Sequence, residues 1–179
     1  MSVIIQTKRL DLIPLSPAVL RAALELDRNK IGRLLGASVP QSWEIRRDAL
    51  ELRLRQLEAT PAFQPWSIRG MVLSSEGQLI GDIGCHSEPF TRPASAPKTV
   101  ELGYSVVEAW RRREFAQEAI EALIQWACTQ HRVHRFVLSI SPENEASQAL
   151  AAKMGFRKIG SQIDEEDGLE EIFERLVEG

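Results

Sequence analysis

The stretch from Val100 to Ile140 constrains the fold most, because it sets a strand, an arginine-rich loop, a long amphipathic helix and another strand in immediate succession. Ala116, Ala119, Ile120, Leu123, Ile124 and Ala127 recur at i, i+3, i+4, i+7, i+8 and i+11, the strongest helical stripe in the chain. Before it, VELGYSVV reads as a strand. After it, RFVLSI (135 to 140) is a near-continuous apolar run, as expected of a central strand covered on both faces.

The flanking segments supply the rest of a sheet and its helices. Residues 3 to 15 alternate apolar and polar from Thr7 to Leu12 and predict a first strand that stops at Pro14, where proline spoils the ladder. Ser16 and Pro17 form an N-cap with proline at the first helical position, opening a helix that runs to Gly36 with a break near Asp27. Pro40 opens a second helical stretch from about Trp43 to Leu57, with Ile45, Leu50, Leu52, Leu54 and Leu57 as an imperfect stripe; Pro61 and Pro65 close it. Residues 66 to 85 read as a hairpin turning at SSEGQ, and residues 87 to 99, with three prolines and no periodicity, as a loop. Asn144 caps a helix whose buried face is Leu150, Ala151 and Met154, which Gly155 stops in the left-handed conformation with Phe156 as the accompanying contact. FRKIG and EEIFERLV add two strands around an acidic loop, 161 to 168. The result is a mixed α/β (α+β) layer fold, one domain over 1–179, with helices on both faces of one sheet.

Composition excludes several functional classes. At 179 residues, 44% apolar and 26% charged, the chain suits a single core, and its apolar runs are far shorter than the roughly 20 residues of a membrane-spanning helix. The opening MSVIIQTKRLDL lacks a basic-then-apolar leader pattern, so a cytoplasmic location and no membrane partner are expected. Cys85 and Cys128, without CxxC spacing, make neither a disulfide scaffold nor a cysteine zinc site; both read as reduced and buried, and no metal is expected. Residues 164 to 179 carry a local charge of −7, which leaves the first 163 residues at +4. That body charge suits an anionic ligand and is too small for a nucleic-acid binder, whose domain pI usually exceeds about 9.

The candidate anion site is the Arg111, Arg112, Arg113 loop before the striped helix. A helix N-terminus presents about four unpaired N–H groups and the positive end of its dipole, and arginines beside it add charge-assisted donors. The alternative is a solvated loop. Its place at the carboxyl end of a strand, where open α/β sheets hold ligands, favours the site.

Residues 100 to 160 also resemble the GNAT superfamily of acetyl-coenzyme A dependent N-acetyltransferases, and within it the group containing the ribosomal-protein alanine N-acetyltransferases. The resemblance rests on ELGYSV, on Trp110, Arg111, Phe115, Ala116, Glu118 and Ala119, on Asn144 and Ser147, and on the pair Gly155 and Phe156; the opening TKRLDLIPL resembles that group's first strand. It implies a GNAT-like fold with a central, mixed, mostly antiparallel sheet of about six to seven strands. It also implies acetyl-coenzyme A as co-substrate, with the pyrophosphate on residues Arg111, Arg112, Arg113, Glu114, Phe115 and Ala116 and the pantetheine arm beside Ser105, Val106 and Val107. Asn144 and Lys153 complete the implied cofactor set. The family loop usually carries glycines where Arg112 and Glu114 stand here, so Glu114 adds a side chain and a negative charge beside the expected phosphates.

Acetyl transfer to an amine needs the amine deprotonated, the thioester oxygen stabilised and the departing thiolate protonated. Glu101 resembles the family's base, acting directly or through water; its alternative is a strand-surface carboxylate. Ser147 resembles the hydroxyl placed near the sulfur; its alternative is a serine in a first helical turn. His86 is a candidate for the acceptor side, together with Trp43 and Trp66, and with Phe63 beside them, although core packing is the default for each aromatic residue. A Cys85–His86 dyad is disfavoured because adjacent strand residues face opposite ways. His131 and His134 flank a helix end and read as dipole partners or surface residues. The expected activity is therefore N-acetyl transfer to a primary amine, a protein amino terminus or a small molecule. The runner-up is a non-catalytic coenzyme A-binding or ligand-sensing protein of the same fold, and an Arg-rich RNA-binding module has only the arginine triplet in its favour. A homodimer is plausible because twofold pairs are the commonest assembly.

Overall fold

The first expected strand folds as two in the computed structural model, which describes residues 3–90, 98–165 and 168–178. Strand β1 (Ile5–Gln6) and strand β2 (Leu10–Pro14) pair antiparallel because the chain turns back at Thr7, whose backbone N–H donates to the carbonyl of Leu10. Eight strands therefore form among the described residues, one or two more than the six to seven expected. The chain divides into two compact units, Met1–Cys85 with Tyr104–Ala122, and His86–Gly103 with Leu123–Gly179.

In the first unit, helix α1 (Pro17–Leu24) starts at the Ser16 cap, and helix α2 (Arg28–Leu35) starts at Asp27, whose carboxylate accepts from the N–H of Lys30 at 2.9 Å. The break expected near Asp27 is thus a new N-cap, and Gly36, at φ +67°, ends α2 in the left-handed conformation. Helix α3 (Arg47–Ala59) begins later than expected and leaves Trp43 outside it. Its inner face is Leu50, Arg53 and Leu57, at i, i+3 and i+7; Leu52 points outward. Strands β3 (Arg69–Leu73) and β4 (Gln78–Cys85) form the expected hairpin and complete an antiparallel order β1-β2-β3-β4. Leu10, Leu12, Leu15, Leu20, Met71, Leu79, Ile80 and Ile83 are fully buried around it. Arg69 is equally buried and donates to the carbonyls of Val3, Leu12 and Pro65; burial pulls its guanidinium down to about 10.

Strand β5 (Thr99–Val106) and helix α4 (Phe115–His131) each contribute to both units. The striped face of α4 is realised, with Ala119, Ile120, Leu123, Ile124 and Ala127 all at most 2% exposed. In the second unit, strand β6 (Arg135–Ile140) runs parallel to β5, while strands β7 (Arg157–Asp164) and β8 (Gly168–Leu176) give the order β5-β6-β8-β7 with the other pairings antiparallel. Burial alternates along β6 between buried Phe136, Leu138 and Ile140 and half-buried neighbours, so the strand is central but not equally covered on its two faces. Helix α5 (Glu145–Lys153) is capped by Asn144 and stopped by Gly155 at φ +80°, with Phe156 buried and its N–H bonded to the carbonyl of Ala151. The final strands reach further into the acidic segment than expected, to Asp164 and from Gly168. Residues 91–97 of the expected 87 to 99 loop, and residues 166–167 of the acidic one, lie outside the described residues. Phe90 and Thr99 close the former's ends by exchanging backbone hydrogen bonds at 2.9 and 2.8 Å. Cys85 is buried as expected, whereas Cys128 is only half-buried; both are free thiols.

Candidate active site

The loop before α4 keeps a glycine-like backbone without its glycines. Arg112 and Glu114 stand at φ +61° and +63°, in the left-handed region, where a side chain costs about 1–2 kcal/mol. The loop therefore has the backbone shape that glycines would give it, and the side chains of residues 111–114 all lie exposed. The first intrahelical bond of α4 runs from the N–H of Glu118 to the carbonyl of Glu114 at 3.0 Å. The amides of Phe115, Ala116 and Gln117 precede it, at the positive end of a 17-residue helix. Not all three arginines serve as free charges. Arg111 Nε donates to the carbonyl of Val106 at 2.8 Å, and the Arg113 guanidinium lies 4.9 Å from the Trp110 ring centroid. Ser105, at the end of β5, is exposed, while Val106 and Val107 are buried.

Glu118, which enters the sequence argument only as part of a motif, fastens this loop to the first strands. Its carboxylate accepts from Thr7 Oγ1 at 2.6 Å, from the Arg9 backbone N–H at 2.8 Å and from Arg9 Nε at 2.6 Å. Burial pushes its pKa up, but these donors and the Arg9 charge outweigh that and hold it below the usual carboxylate value. The Arg9 guanidinium also lies 4.3 Å from the Phe115 ring centroid.

The second unit builds a different cluster around Glu101. The parallel ladder of β5 and β6 holds only Thr99 to Glu101 against Arg135 to Val137, although both strands continue. Beyond Glu101, Leu102 and Gly103 carry no ladder pairing with Leu138 to Ile140, so the parallel ladder opens at that point. Glu101 is the last paired residue. Its Oε1 accepts from Ser139 Oγ at 2.6 Å, and His86 Nδ1 lies 3.3 Å from the same atom. Burial raises the carboxyl's pKa, yet these two hydrogen bonds and the neighbouring imidazole lower it more, so it sits below its ordinary value. Glu101 is thus a part-buried carboxylate hydrogen-bonded to side chains from two neighbouring segments.

Other expected residues fall at more ordinary stations. Asn144 Oδ1 accepts from the N–H of Ser147 at 3.1 Å, which places Ser147 in the first turn of α5; Lys153 is exposed at its last turn. Trp43, Phe63 and Trp66 are 5%, 4% and 7% exposed, so they pack in the first unit rather than line an open wall. Trp43 Nε1 donates to Asp82 on β4 at 3.0 Å, and burial raises that carboxyl to about 7. Burial also raises the Cys85 thiol to about 12, which removes it as a nucleophile near neutral pH. Sequence reasoning missed Asp82, Ser139 and the anchoring role of Glu118. An acid inside the apolar run LIGDIGC was the available signal for Asp82; for Ser139, one hydroxyl in a buried strand carries none.

A family model described as Acetyltransferase (GNAT) domain matches residues 9–157. The N-acetyltransferase YoaA of Bacillus subtilis (strain 168) is 32% identical over 83 residues, 46% of this chain and 44% of that protein, so the chain spans less than half the length of this relative. Its counterpart YjdG is 26% identical over 160 residues, 86% of this chain and 89% of that one. Among solved structures, the ribosomal-protein-S5-alanine acetyltransferase from Vibrio fischeri has a TM-score of 0.68 at 19% identity, covering 97% of this chain and 96% of the other, a likeness of fold. With a family model covering most of its length and a sheet and helices that superpose on such a structure, the chain belongs to the GNAT acetyltransferase family.

Proposed function

We propose that this protein transfers an acetyl group from acetyl-coenzyme A to a primary amine by direct attack. The observation that carries the reading is the position of Glu101, a hydrogen-bonded carboxylate at the point where the β5–β6 ladder stops. The residues present fit the donor. The opening beyond Glu101 suits the amides of a pantetheine arm, and the left-handed loop with the amides of residues 115–117 suits a pyrophosphate. Arg111, Arg112, Arg113, Glu114, Phe115, Ala116, Ser105, Val106, Val107, Asn144 and Lys153 are the proposed donor-binding set. Acetyl-coenzyme A, when bound, supplies the thioester carbonyl that the amine attacks and the thiolate that leaves.

In this proposal the Glu101 cluster draws the proton from the incoming ammonium, and the Ser147 hydroxyl gives one to the departing sulfur. The left-handed φ of Arg112 and Glu114 favours a working loop over a degenerate one, since a loop that had lost its ligand need not keep a strained backbone. For the acceptor, the relative named for a ribosomal-protein alanine makes a protein amino terminus the first class to test. Titration calorimetry with acetyl-coenzyme A, followed by thiol release with peptides, polyamines, amino acids and aromatic amines, is the experiment. Micromolar to millimolar binding with turnover of one class is the expected result. Binding without turnover of any class would favour the ligand-sensing alternative, and no binding would remove the donor assignment. Ser147→Ala separates two roles: an acid's loss slows turnover by about 10²- to 10⁴-fold, whereas a structural serine's loss lowers Tm and spares the rate.

A further inference from the structure

Three side chains of the second unit, brought from residues 86, 101 and 139, meet at one carboxylate oxygen. We infer that His86 Nε2 is the atom that takes the acceptor's proton, and that Glu101, oriented by Ser139, is the positioning residue that holds the ring. This rests on the acyl-transfer reading above and deepens it. An imidazole whose Nδ1–H donates to a carboxylate carries its lone pair on Nε2, so Glu101 selects the tautomer that can accept a proton there. Ser139 keeps the carboxylate turned toward the ring by donating to the same Oε1.

Gly103 provides the space for this arrangement. A Cβ on Gly103 would lie 2.6 Å from His86 Nε2, so the ring occupies the volume that the glycine leaves over β5, two residues past the end of the ladder. The two candidates for the base also differ in access to water: the side chain of His86 is 53% exposed, that of Glu101 26%. A carboxylate already accepting two hydrogen bonds, and held below its usual pKa, is a weak proton acceptor near neutral pH, whereas histidine is the side chain whose exchange falls in that range. The charged groups acting on the Glu101 carboxylate are the His86 ring beside it and Asp164 at the end of β7. In the step itself, the ammonium N–H bond breaks and its electron pair stays on nitrogen as the nucleophile. The proton forms the new bond at Nε2, and the exposed imidazolium passes it to water.

Two readouts test this, one of them independent of turnover. In ¹⁵N-labelled protein the ring-nitrogen shifts of His86 should report Nδ1–H in the neutral ring, and Glu101→Gln should reduce that tautomer preference. A neutral ring protonated on Nε2, or a tautomer preference unmoved by Glu101→Gln, would overturn the inference. With whichever amine the wild type acetylates, His86→Gln should lower kcat/KM by about 10²-fold and change its pH profile. Gly103→Ala, whose added Cβ displaces the ring, should lower kcat/KM by about 10-fold. An active wild type whose His86→Gln variant keeps both rate and profile overturns this inference alone. A wild type inactive on every amine overturns the acyl-transfer reading and this step with it.

Discussion

Asp82 and Glu101 are both carboxylates on apolar strands, and their surroundings drive them in opposite directions. Asp82 accepts one hydrogen bond, from the indole of Trp43, and burial wins: its pKa rises to about 7. Glu101 is also penalised by burial, but a hydroxyl and an imidazole on one oxygen win, and it stays ionised. Depth and donors act together, since Asp82 is the more deeply buried of the two and has the fewer donors. Each donor to the ionised form offsets part of the desolvation cost, and one neutral indole is not enough. Glu118, with three donors from Thr7 and Arg9, belongs with Glu101 in this respect and does structural work instead.

The largest effect expected from disturbing this contrast is on turnover. Glu101→Gln keeps the shape and removes the charge that holds the ring of His86, and should lower kcat by about 10²-fold or more with little change in acetyl-coenzyme A affinity. Steady-state kinetics with a proven acceptor, beside calorimetry, checks both halves; an unchanged kcat would place Glu101 with the spectator carboxylates.

Next in size is Glu118→Ala, which strands the Thr7 hydroxyl and both Arg9 donors. Denaturant unfolding should show a loss of about 2–3 kcal/mol, as for removing one partner from a part-buried charged network. Because the folded-state pKa of Glu118 is depressed, its contribution is present above the ordinary carboxylate value and is lost as pH falls through the folded one. The gap between wild type and variant should therefore narrow in acid.

Asp82 predicts the opposite sign. With a folded-state value near 7 against an unfolded one near 3.8, the folded state binds the extra proton between them, so wild-type stability should fall as pH rises from about 4 to 7 and then level. Asp82→Asn removes that slope. It should raise stability by about 1–2 kcal/mol at pH 8, after allowance for partial solvent access, and change little at pH 4. A parallel pH dependence in the two proteins would mean that Asp82 is solvated like a surface acid. The smallest effect concerns an exposed acid: Glu114→Gly relieves a left-handed side chain and a charge beside the proposed diphosphate, and should tighten acetyl-coenzyme A about 5-fold. Titrations of both proteins at two salt concentrations test it, and equal affinities would mean that the Glu114 carboxylate points away from the phosphates.

The sequence was most legible where structure is local. The caps at Ser16 and Asn144, the stops at Gly36 and Gly155 and the stripe of α4 follow from hydrogen bonds and spacings within a few residues, and each stands where the sequence placed it. The first strand was less legible: nothing in the alternation of residues 3 to 15 marks the reversal at Thr7, which Glu118, more than a hundred residues away, helps to hold. The start of α3 was misplaced for a related reason. Trp43 has helical spacing to later apolar residues but is drawn out of the helix by its bond to Asp82.

The sequence by itself determined the mixed α/β class and the loop before α4, because periodicity, capping and motif spacing are properties of the chain; the family resemblance is what singled out Glu101. Tertiary structure alone decided what that acid is. His86, Glu101 and Ser139 lie on separate segments, and a pKa depends on which donors arrive within about 3 Å and how much water they displace. The same holds for Arg112 and Glu114. Their side chains argue against a phosphate loop, while their positive φ values, visible only once the chain is folded, give the backbone the left-handed conformation that glycine favours.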